Sequence, residues 1–197
     1  MPVTSSRWIV LPWSLALIIA VTAGTGCDVF SLRDPEPPIT ESGTFTQPDT
    51  PDHVVDNLQA AIAELNVANY TRSLAEELVF QPTAAAEQRD PIWTGWGRLQ
   101  EQSYFTQLVA AASAGGDHSL ELSDETMTVL AEDRYSLEAG YVLTVQHSRV
   151  EVPSVVQGRL LWVITQGADS QWRLEEWTDR QVGSEPSWSD LKARFSQ

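Results

Sequence analysis

Apolar residues recur along this chain with two periods, about 3.6 in its first half and 2 in its second. The first period marks helices. Val54, Leu58, Ala61, Ile62 and Leu65 form one stripe, opened by Thr50 as a cap with Pro51 at the first helical position, where its missing N–H costs nothing. A second, short helix is expected from Asn69, carrying Tyr70 and Leu74 and ending before an extended Leu78-Val-Phe-Gln-Pro82. A third is expected from Arg98 to Ala112, with Leu99, Phe105, Leu108, Val109 and Ala112 inward and Gly115-Gly116 as its stop.

Alternation then takes over. Leu120 and Leu122 alternate with polar neighbours; Leu137, Ala139, Tyr141, Leu143, Val145 and His147 share one face of a long strand; Val156, Leu160, Trp162 and Ile164 share a face of the next. Gly167-Ala-Asp-Ser170 separates that strand from Gln171–Asp179 and predicts a hairpin. In this last strand two faces compete. Trp172 and Leu174 are in register with Glu176, whereas Arg173 and Glu175 are in register with Trp177 and Asp179. Either Glu176 is an acid on an apolar face or a bulge reverses the alternation. Ser187 and Asp190 make a capping box for a terminal helix with Trp188, Leu191 and Phe195 on one side. Helices followed by long antiparallel strands predict an α+β fold, a curved antiparallel sheet covered on one face by about three helices, with a short C-terminal helix.

The N-terminal region has neither period. Arg7 precedes an apolar segment, Trp8–Ala23, which runs into Gly24-Thr-Gly26 and then Cys27, the one cysteine of the chain. The segment is shorter than the roughly 18–20 residues of a spanning helix and contains Pro12, so residues 1–26 are expected to be a cleaved export signal. The arrangement resembles the bacterial lipoprotein signal, which implies that Cys27 becomes the lipidated first residue on a cell envelope membrane. Gly24 departs from that pattern, where Leu or Val is usual three residues before the cysteine. Residues 27–49 are expected to form a Pro-rich linker, and residues 50–197 one domain.

Charge and chemistry narrow the function by exclusion. The chain has 12 Lys and Arg against 27 Asp and Glu, a net −15, which disfavours nucleic acid and leaves a covalent lipid as the tether to the membrane. A lone cysteine and three scattered histidines, His53, His118 and His147, support no metal site, and no cofactor motif is present. No serine lies in a G-x-S-x-G setting. Among the tryptophans, Trp93 and Trp96, in a Gly-containing loop, are the two that suggest a surface role.

The order of elements, together with Asn69-Tyr70 before the strand Val79–Pro82, the segment Trp96–Phe105, Trp172–Asp179 and the ending Pro186–Phe195, resembles the nuclear transport factor 2-like, or cystatin-like, cone. The resemblance implies a site in the mouth of the cone. In the enzymes of that superfamily, which include isomerase-, dehydratase- and cyclase-like members, an Asp, Glu, His or Tyr in an apolar pocket moves a proton. Here the pocket candidates are Tyr141, His147, Trp162 and Glu176, but no dyad is evident. Binding of a small apolar ligand or an envelope protein is therefore expected rather than catalysis. The alternatives are a lyase or isomerase with Glu176 or His147 as proton carrier, and a subunit of an envelope assembly; a homodimer would form through the sheet.

Overall fold

The computed structural model describes residues 43–196, all within one compact unit, Ile39–Gln197. Cys27 and the expected signal and most of the linker lie outside the described residues. Helix α1 (Pro51–Ala63) starts where Thr50 Oγ1 accepts from the His53 N–H and buries Val54, Val55, Leu58, Ala61 and Ile62. Residues 43–49 are docked rather than free: Asn57 exchanges two hydrogen bonds with the Thr46 backbone, and the Trp172 N–H donates to Pro48 O.

Helix α2 (Val67–Arg72) begins two residues before the expected start, because Asn66 supplies the cap, and strand β1 (Leu74–Gln81) follows at once. Helix α3 (Ala84–Arg89) was not expected; only Ala86 of its six residues is buried, so it carries no apolar stripe. A 3₁₀ turn, Pro91–Trp93, leads towards helix α4 (Arg98–Ala111). Leu99, expected inward, is 77% exposed. The buried stripe of α4 is Glu101, Tyr104, Phe105 and Leu108, so a carboxylate occupies the position that an apolar count gives to a neighbour.

Strands β2 (His118–Ala131), β3 (Arg134–Val145), β4 (Val155–Gln166) and β5 (Trp172–Arg180) form successive antiparallel hairpins. The five strands lie in the order β1-β5-β4-β3-β2 and the sheet is open. It is mixed rather than purely antiparallel. After the crossover through α4, three reversals bring β5 alongside β1 in the same direction. Helix α5 (Trp188–Phe195) ends the described chain.

The competition between the faces of β5 is resolved by a bulge. Ile164 pairs with Leu174 but Val163 with Glu176, so Glu175 is the extra residue. Trp172 and Leu174 point inward before it, Trp177 and Asp179 after it. Glu176 is turned outward. The outward face of the sheet is laced by charge, with Glu138 Oε1 3.7 Å from Arg159 Nη2 and 3.4 Å from Arg180 Nη1.

Candidate functional site: the filled interior of the cone

The concave side of the sheet faces α1, α4 and α5, and the space between them is packed with aromatic rings. Trp177 meets Phe80, Trp162 and Trp188 edge to face, at 5.4, 5.6 and 4.5 Å between centroids. Trp93 and Trp96, expected at the surface, are buried against Phe80 and each other. Burial of such large apolar faces is the main source of stability here.

Two carboxylates lie inside this packing. Glu101 is fully buried; its Oε1 accepts from the Tyr70 hydroxyl at 2.7 Å, and its Oε2 from Trp96 Nε1 at 2.7 Å and Lys192 Nζ at 2.8 Å. Lys192, also fully buried, comes from α5. A buried charge persists only when paired and hydrogen-bonded, and both conditions are met. Asp179 is the second acid. Its Oδ1 accepts from the Tyr141 hydroxyl at 2.7 Å and its Oδ2 from the Ser189 N–H and hydroxyl at 2.7 and 2.6 Å. The Tyr141 hydroxyl in turn accepts from the Trp188 N–H at 2.8 Å, and Trp188 Nε1 donates to the Tyr104 hydroxyl at 3.0 Å. Every one of these bonds except those from Tyr70 and Trp96 and the Tyr141–Asp179 pair involves α5.

Burial governs the titration of the interior. It lowers the Lys192 amine to about 8 against the opposing pull of Glu101. It raises the Tyr70 and Tyr104 phenols well above their ordinary value, with the Glu101 charge adding to the effect. Tyr141 is raised too, by burial and then by Asp179. All three tyrosines are therefore neutral hydrogen-bonding groups at physiological pH.

Of the four residues singled out in the sequence, Tyr141 and Trp162 lie in the interior. Tyr141 anchors α5; Trp162 is wholly buried, its indole N–H without an acceptor among the described residues. His147 sits half-buried at the rim, its Nε2 3.2 Å from Pro153 O and its ring edge-on to Phe195 at 5.1 Å. Glu176 is outside, with its Oε1 2.5 Å from Arg134 Nη2. The residues missed in the sequence are Glu101, Asp179 and Lys192. Two of them carry a legible signal: Lys192 completes the spacing 188, 191, 192, 195, as Glu101 completes 101, 104, 105, 108.

An open groove of about 630 Å³ lies elsewhere, where Arg98, Arg134 and Arg173 converge at one end of the sheet. Three of its four guanidinium groups are already paired with carboxylates, Arg98 with Glu76, Arg134 with Glu175 and Glu176, and Arg173 with Asp169, and the fourth, Arg72, lies over the Phe45 ring. The groove is thus internally neutralised, and the interior is the better candidate for a site.

No family model matches the chain, and no curated protein does either. Solved structures do. A candidate aromatic ring hydroxylase from Novosphingobium aromaticivorans is similar over 72% of this chain and 92% of its own length, at 15% identity and a TM-score of 0.52. A candidate scytalone dehydratase from the same organism is similar over 70% of this chain and 89% of its own, at 9% identity and a TM-score of 0.52. A nuclear transport factor 2-like protein of unknown function in nutrient uptake from Rhodospirillum rubrum covers 67% of this chain and 98% of its own, at 14% identity and a TM-score of 0.50. At these identities the likeness is one of fold, and the fold of residues 43–196 is nuclear transport factor 2-like.

Proposed function

We propose that the chain is a lipid-anchored protein of the bacterial envelope whose cone acts as a non-catalytic binding module. One observation carries the second half of this reading: both carboxylates of the interior, Glu101 and Asp179, are engaged by partners from the chain itself. A proton-transfer catalyst needs an acid or base within reach of a substrate atom, whereas Glu101 and Asp179 each accept three internal hydrogen bonds. The first half rests on the apolar segment running into Gly26-Cys27, and it makes Cys27 the attachment point.

The tether is tested by intact mass of the full chain from the membrane fraction. The expected species begins at a lipid-modified Cys27, and Cys27→Ala remains unprocessed; a membrane-bound chain retaining Met1 would refute it. A second reading, a lyase or isomerase, draws on the Tyr141–Asp179 pair inside a fold that candidate hydroxylases and dehydratases share. Turnover of a hydratable or enolisable substrate, abolished in Asp179→Asn with folding intact, would establish the enzyme instead.

A further inference from the structure

The environment of Lys192 is more specific than an ion pair requires. Its Nζ lies 3.5 Å from the ring centroid of Phe80 and 3.5 Å from that of Trp177, with Tyr104 and Trp188 at 5.7 and 5.8 Å. Glu101 Oε2 closes the remaining side at 2.8 Å. Aromatic faces around a cation, with a carboxylate at one side, are the means by which proteins recognise alkylammonium groups. We propose that the interior of the cone is a receptor site for a small aliphatic ammonium ion, occupied in this state by the chain's own Lys192.

The cage stands largely without its occupant. Phe80 belongs to β1, Trp177 to β5, and Tyr104 and Glu101 to α4; only Trp188 comes from α5. The carboxylate is aimed by Tyr70 and Trp96, so its position does not depend on Lys192. The occupant is a tethered one. Helix α5 is the last described element, joined to β5 through the exposed residues 181–185. Lys192 is also the only lysine in the sequence, the other eleven cationic side chains being arginine, whose planar guanidinium would not sit as a point charge in such a cage. The site rests on the reading of the cone as a binding module and supplies that module with a ligand class.

The test uses the full chain with Lys192→Ala, which removes the tethered ammonium and keeps the cage. Saturable tryptophan quenching by n-butylammonium chloride is expected at least tenfold tighter than by n-butanol, and Glu101→Gln in the same background should remove that preference. Equal affinity for the two probes overturns the proposal, because an apolar void takes both alike. The wild-type chain gives an independent readout should the variant not fold. Tetramethylammonium chloride should speed acetylation of Lys192 severalfold over sodium chloride at equal ionic strength, by competing for the cage; an unchanged rate overturns the proposal. Recovery of butylammonium unchanged is expected, and its conversion to another species would instead sink the non-catalytic reading while leaving the cage in place.

Discussion

Lys192 and Glu101 are each worth little alone, because a charge taken out of water is stabilised only by what surrounds it. Removing one partner of a buried pair leaves the other uncompensated, so Lys192→Met should lower stability by about 3–5 kcal/mol in urea denaturation, despite its similar volume. The same lysine sets a pH dependence. Below about 8 it is protonated in both folded and unfolded chains and adds no slope. Between about 8 and its ordinary 10.5 the unfolded chain binds a proton that the folded one does not, so stability should rise with pH, and Lys192→Met should abolish the rise. The tyrosines act in the opposite sense. Tyr70, Tyr104 and Tyr141 keep their protons when folded, so above their ordinary 10 the unfolded chain is favoured. Absorbance at 295 nm should show three of the four tyrosines ionising only as the fold opens, and free titration of all four in the native protein would contradict their burial.

At the scale of elements, legibility followed the strength of the apolar period. Helix α1, the strands β3 and β4 and the cap of α5 could be read directly, since each combines an unbroken stripe with its own stop or cap chemistry. Helix α3 had no stripe, and the parallel pairing of β1 with β5 depends on a long-range crossover that no local pattern encodes. In the site, Tyr141 was legible because its strand alternates cleanly. Glu101 and Lys192 fall on the inward spacing of their helices, but a charged residue in an apolar stripe reads as a gap until its partner on another helix is known. The bulge at Glu175 shows the same limit from the other side, as the sequence presented both faces of β5 but not the choice between them. One close approach in the sheet yields a test. Tyr141 pairs across the sheet with Gly158, and a Cβ there would lie 2.7 Å from the Tyr141 hydroxyl and 2.7 Å from Arg180 O. Gly158→Ala should push Tyr141 off Asp179, loosen the start of α5 and cost about 1–3 kcal/mol in thermal or urea unfolding.

For the molecule as a whole, the interior is held from its end: α5 buries six of its eight residues and contributes the lysine that neutralises Glu101. The surface meanwhile carries its positive charge on arginine alone. An endoprotease that cuts only after lysine therefore has one peptide bond to attack in the entire chain, between Lys192 and Ala193, and in the closed state both residues are buried. Its cleavage rate is a clock for departure of the last helix. If α5 leaves on its own, cutting will be fast relative to global unfolding and insensitive to low urea; if it leaves only with the sheet, the two rates will coincide and share one denaturant dependence.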